Sequence, residues 1–151
     1  MASTWNVTGL VSDGSTFSSS GGLDGGGRTY SSNLLWPVQT ANGALFSLAP
    51  PNGPDAVSNA TITLPAGQFS TLQLLATGVN GSQPSQTFTV KDTDGTTASF
   101  TQSLTDWSTP QGYPGESNAI TTTTATPAPA AGTPCQSRCM ATASVCQRAK
   151  P

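Results

Sequence analysis

Residues 87–91 read Thr-Phe-Thr-Val-Lys and residues 98–104 read Ala-Ser-Phe-Thr-Gln-Ser-Leu. Both alternate polar with apolar side chains, the period of a half-buried strand. The first places Phe88 and Val90 on one face, and the second places Ala98, Phe100 and Leu104 on one face. Between them lies Asp92-Thr93-Asp94-Gly95, whose Asp-Gly pair supplies the positive φ of a tight turn. A β-hairpin is therefore expected, and a hairpin needs further strands before it is stable alone.

The remaining chain supplies candidates. Residues 60–64 (Ala-Thr-Ile-Thr-Leu) alternate and stop at Pro65-Ala66-Gly67. Residues 71–76 are more continuously apolar, as in a strand buried on both faces or turning into one. Residues 44–48, 28–35 and 5–11 are further candidates, with Trp5 expected in the core. Turn-rich spacers fill residues 13–27, 50–59 and 78–85. Short strands between such spacers predict an all-β chain, an antiparallel β-sandwich of jelly-roll type. Composition agrees: only 8% of the 151 residues are charged, and Gly and Pro number 16 and 12. Ser, Thr and Asn dominate the rest, and these residues compete with a helical backbone for hydrogen bonds.

Charge excludes some partners. All seven acids precede residue 120, where Arg28 and Lys91 are the bases. Nucleic acid, which needs clustered Lys and Arg, is not an expected partner. No run approaches the ~20 apolar residues of a membrane span. No export signal is visible, since Met1-Ala2-Ser3 runs straight into Trp5. The favoured reading is a secreted domain whose signal is not part of this chain, the other being an intracellular one.

The run from Ser18 to Gly27 is rich in Ser and Gly but lacks the Lys-Ser/Thr and following helix of a phosphate loop. A tightly turning connection is expected instead. Without histidine there is no Ser-His-Asp or Cys-His arrangement, so the chain is not expected to be an enzyme. A glycosidase-type carboxylate pair would have to come from Asp106 and Glu116. No catalytic residue, metal ligand or cofactor is assigned. Asp92-x-Asp94-Gly95 resembles part of a calcium loop without the remaining ligands, and reads better as a turn. Asn6-Val7-Thr8, Asn59-Ala60-Thr61 and Asn80-Gly81-Ser82 fit the glycosylation pattern at a frequency expected by chance.

A sugar-binding face would need aromatic rings flanked by amide and carboxylate groups. The candidates are Trp107, Tyr113, Tyr30 and Trp36, with Asp106 beside them. Trp107 and Tyr113 lie in a Pro/Gly-rich loop. Two readings of Trp107 stand together, a sugar platform and a plug closing the end of the sandwich.

Composition changes near residue 120, which divides the chain into a sandwich domain, residues 1–119, and a tail, residues 120–151. The tail is a Thr/Pro/Ala tract followed by Cys135, Cys139 and Cys146. It reads as a linker to a small cysteine module, although three cysteines cannot all pair within one chain. It reads as a zinc site only if a fourth ligand comes from elsewhere. The third reading is that the tail is not the natural translation. In the frame formed by each third base and the next codon's first two, residues 139–150 allow an alternating run such as Tyr-Gly-Tyr-Ser-Phe-x-Leu.

Several motifs carry a family resemblance: Thr8-Gly9-Leu10-Val11-Ser12-Asp13-Gly14, Gly22-Leu23-Asp24-Gly25-Gly26-Gly27, Pro54-Asp55-Ala56-Val57, Leu64-Pro65-Ala66-Gly67, Leu74-Leu75-Ala76-Thr77-Gly78-Val79-Asn80-Gly81, and Gln102-Ser103-Leu104-Thr105-Asp106-Trp107. Over residues 5–119 the chain resembles accessory β-sandwich domains of bacterial secreted glycoside hydrolases and peptidases. The resemblance implies a non-catalytic module attaching to polysaccharide, another glycan or a cell surface. A structural spacer or assembly domain with no ligand is the alternative. Such domains continue after Gly115-Glu116-Ser117 with further strands, and this chain departs there. The resemblance thus implies a sandwich lacking its last strands, which would self-associate through open sheet edges.

Overall fold

A computed structural model describes residues 5–16, 20–35, 37–119 and 125–127. Trp36 and the three cysteines lie outside the described residues, as does most of the tail. Among the described residues, seven short strands and one helical turn make up the regular structure: β1 (Leu10–Val11), β2 (Arg28–Ser31), α1 (Ser32–Leu35), β3 (Val38–Ala41), β4 (Ala44–Ser47), β5 (Gln83–Lys91), β6 (Thr97–Leu104) and β7 (Ala125–Pro127). The fold is all-β, as the alternating segments predict. The strands form one sheet ordered β1-β2-β7 and two hairpins, β3-β4 and β5-β6.

The β5-β6 hairpin has the register the alternation requires, with Phe88 opposite Phe100 and Val90 opposite Ala98. The two phenylalanine rings stack at 5.2 Å with 12° between their planes. Gly95 has φ 87, and the Thr96 amide and hydroxyl donate to the Asp94 carboxylate at 2.9 and 2.7 Å. The two acids therefore build a turn. In β3-β4, Asn42 and Gly43 form the two-residue loop, at φ 48 and 76. Positive φ at both positions suits the twist of a hairpin.

Some of the strand expectations are corrected. Residues 28–35 split into β2 and the turn α1, because the chain must swing from one sheet into the next hairpin. The N-terminal stretch is strand only at β1, which pairs parallel to β2, and Trp5 is 43% exposed. Upstream of β1 a single bridge, Val7 to Ala56, is too little pairing to fold Trp5 inward. Residues 60–64 and 71–76 are not strands, and neither segment pairs with a described strand. Beyond residue 119 the chain adds β7, antiparallel to β2 through Arg28–Pro127, Thr29–Thr126 and Tyr30–Ala125.

The core is small. Leu10, Tyr30, Leu35 and Trp107 form its centre, with Leu23, Leu48 and Val79 packed at its margin. Two carboxylates tie loops to it. Asp55 accepts the Gly9 and Leu10 amides at 2.6 and 2.8 Å, fastening the loop after β4 to the edge of β1. A β-carbon on Gly9 would stand 3.0 Å from that carboxylate, so the small residue lets the clamp close. Glu116 accepts the amide and hydroxyl of Thr105, each at 2.5 Å, and the Tyr113 amide at 2.9 Å. The loop leaving β6 is thereby closed at its base.

Candidate functional site

Three loops meet at the end of β6. The first, residues 22–28, is folded by Asp24, whose side chain is only 3% exposed. Its carboxylate accepts the Gly26 amide at 2.8 Å and the Arg28 amide at 3.2 Å, and pairs with the Arg28 guanidinium at 3.0 Å. Gly22 stands at φ 83, and a β-carbon there would collide with the Arg28 carbonyl. The glycine-rich run is thus a tight turn, as its composition predicts, and its acid holds its base.

The second loop, residues 78–82, enters between the other two. Gly78 donates to the Thr105 carbonyl at 2.7 Å, and Trp107 donates back to the Gly78 carbonyl at 2.8 Å. A β-carbon on Gly78 would lie 3.0–3.1 Å from three carbonyl oxygens, a fit only glycine allows without displacement. Asn80, at φ 59, donates from its side chain to the Asp24 carbonyl at 3.2 Å.

The third loop leaves β6 at Thr105, which is fully buried. Asp106 follows it and joins two of the loops. One carboxylate oxygen accepts the Gly81 amide at 2.9 Å, and the other accepts the Ser108 amide and hydroxyl at 2.9 and 2.5 Å. Burial acts to raise the Asp106 carboxyl. The hydroxyl and amide of Ser108 and the amides of Gly81 and Thr109 outweigh it, holding the group below its ordinary 3.8.

Together these loops border an open cleft of about 380 Å³. Asp24 and Arg28 line one side, Asn80, Gly81 and Ser82 another, and Asp106 to Thr109 with Gln111 the third. The lining is mostly polar. Arg28 keeps 62% of its side chain exposed, so guanidinium donors remain at the mouth. The cleft can offer a ligand hydroxyl, amide and guanidinium groups, whereas the Asp106 oxygens already accept several donors.

Of the residues nominated from sequence, Asp106 and Trp107 are in the cleft. Trp107 is only 5% exposed, and its ring meets Tyr30 edge-to-face at 5.7 Å. Tyr30 is itself 9% exposed. These two rings are the centre of the core, so the platform reading of Trp107 gives way to the plug reading. Tyr113 is half-buried and not in the lining, while its amide serves the Glu116 clamp. Trp36 lies outside the described residues. The suggested partner of Asp106, Glu116, has both carboxylate oxygens accepting from Thr105, with Tyr113 adding a further donor. Among the described residues no group of three or more His, Cys, Asp or Glu could hold a metal ion.

Sequence reasoning missed Asp24, Arg28, Asn80, Ser82, Ser108, Thr109 and Gln111. Gly-Leu-Asp-Gly-Gly-Gly and Gly-Val-Asn-Gly both stood out as motifs. Nothing local in either says that the two loops meet.

The profile of the AziU2-like beta-sandwich domain family matches residues 4–135. No curated protein and no solved structure matches the chain.

Proposed function

The chain belongs to the AziU2-like beta-sandwich domain family, and on that scaffold we propose a non-catalytic accessory module of a secreted bacterial protein that binds a glycan. The observation that carries the reading is the polar cleft at the end of β6, where Arg28, Asn80, Ser82, Gln111 and Asp106 converge. Hydroxyl-rich ligands are recognised by such fixed amide, hydroxyl and charged groups. With the faces of Trp107 and Tyr30 packed inward, recognition rests on hydrogen bonds rather than ring stacking.

No catalytic step is proposed. The oxygens of Asp106 and Glu116 each accept protein donors, which favours positioning loops over exchanging protons with a substrate. A ligand-free spacer or assembly domain is the second reading, and the inward packing of both core aromatics favours it.

Retention on a panel of immobilised polysaccharides separates the two. Arg28→Gln and Gln111→Ala are suitable controls because both side chains are exposed. Trp107→Ala is unsuitable, since it would damage the core. Binding to at least one glycan, weakened severalfold by both substitutions, supports the module. Absence of retention leaves the spacer, and retention indifferent to both substitutions would overturn the cleft as the glycan site.

A further inference from the structure

Three asparagines in the chain precede a glycine, at Asn42-Gly43, Asn52-Gly53 and Asn80-Gly81. Such a pair is chemically labile, because a glycine nitrogen has no side chain beside it to hinder attack on the preceding Cγ. The nitrogen–Cγ bond forms, the Cγ–Nδ2 bond breaks and ammonia leaves, giving a five-membered imide. Water then opens the imide at either carbonyl, to aspartate or to isoaspartate. All three asparagines have positive φ, at 48, 70 and 59, so backbone conformation does not separate them. Their hydrogen-bond partners do.

Asn80 is held through its glycine. The Gly81 amide donates to the Asp106 carboxylate at 2.9 Å, which aims the attacking nitrogen's proton at a negative charge that opposes its loss. The Asn80 side chain also donates to the Asp24 carbonyl at 3.2 Å. Asn52 is held through its own side chain. Its Oδ1 accepts the Ser12 amide and its Nδ2 donates to the Ser12 hydroxyl, both at 2.9 Å, while its amide donates to the Leu10 carbonyl at 3.0 Å. The Asn52 Cγ cannot turn toward the Gly53 nitrogen until both side-chain bonds break. Asn42 differs. It stands with Gly43 at the exposed tip of the β3-β4 hairpin. Its Nδ2 donates to the Ser117 hydroxyl at 2.7 Å, and among the described residues no donor holds its Oδ1. The Gly43 amide donates to no described carbonyl or carboxylate.

We propose that Asn42 is a site of spontaneous deamidation, with water as the co-reactant, and that the fold protects Asn52 and Asn80 from the same reaction. The isoaspartate product routes the main chain through Cβ and so adds an atom to a two-residue loop whose geometry matches the twist of its strands. Either product sets a negative charge in a stretch that has none between Arg28 and Asp55.

Ageing the full-length chain at mildly alkaline pH, with peptide mapping by mass spectrometry, tests this. Each conversion carries the mass change of an amide replaced by an acid, which the Asp-Gly pairs cannot give. Asn42 should convert roughly tenfold faster than Asn52 or Asn80, the scale set by the modest hydrogen bonds that hold those two. Electron-transfer fragmentation should find both aspartate and isoaspartate at position 42, as passage through an imide requires. In urea sufficient to unfold the chain, the three rates should come together. Asn42→Gln, with its longer side chain, should remove the leading acidic species on ion exchange and keep the wild-type circular dichroism spectrum. Three results would each overturn the proposal: Asn52 or Asn80 converting as fast as Asn42 in the folded chain, aspartate alone at position 42, or the same ranking persisting in urea, which would assign the difference to neighbouring sequence rather than to the fold.

Discussion

At Asp55 a single side chain holds two backbone donors and so decides where the loop after β4 meets β1. Asp55→Ala would strand the Gly9 and Leu10 amides and is expected to cost about 1–3 kcal/mol in urea unfolding. Burial pushes the Asp55 carboxyl above its ordinary value, although the Gly9 and Leu10 amides pull it down. Asp55→Asn keeps one acceptor and removes the buried charge, so it should cost less than Ala. Equal losses for the two variants would contradict this account. Asp106 has the opposite sign. Its folded carboxyl releases a proton more readily than the unfolded one, whose ordinary value is 3.8. Its stabilisation is therefore complete above that value and is lost as pH falls through the lower folded one. Between about pH 5 and pH 2.5, wild type should lose more stability than Asp106→Asn. Taking the difference between the two proteins removes the opposing slope of Asp55. Parallel pH profiles would show that Asp106 does not contribute.

Among elements, the β5-β6 hairpin has the most local origin. Its register follows from alternation and one turn, and the Phe88–Phe100 stack lies on its half-buried face. Phe100→Ala should lower stability by about 1–2 kcal/mol, the loss of a half-buried ring and its stacking. Gly95→Ala, forced to φ 87 with a β-carbon, should cost about 1–2 kcal/mol by thermal melting. A melt unchanged by either substitution would detach the hairpin from the folding unit. This hairpin was legible in the sequence because its pattern and its turn are contiguous. Residues 60–64 carry a comparable pattern without becoming a strand, because pairing depends on a neighbour that local sequence does not name. The three residues of β7 sit in a Thr/Pro-rich tract with no alternation to announce them. The cleft was legible only at Asp106 and Trp107. Asp24, Asn80 and Gln111 reach it through long-range loop contacts, and the aromatic signal that nominated Tyr30 was a core signal.

For the molecule as a whole, much depends on few buried side chains. Leu10, Val11, Tyr30, Leu35, Ala41, Leu104 and Trp107 are the buried apolar residues among those described. Trp107→Ala should cost about 3–5 kcal/mol, a large share of the ~5–15 kcal/mol typical of a domain. Loss of the near-ultraviolet dichroism and a non-cooperative melt are the expected readout, and a sharp wild-type-like transition would refute it. Asp24 and Arg28 form an ion pair, and the chain from Asp55 to Lys91 carries no charge between its ends. Dissolved salt acts on protein chiefly by screening charges, and this long middle stretch gives it none to screen. Ionic strength should therefore scarcely weaken contacts made there, whereas sulfate, excluded from apolar surface, should tighten them.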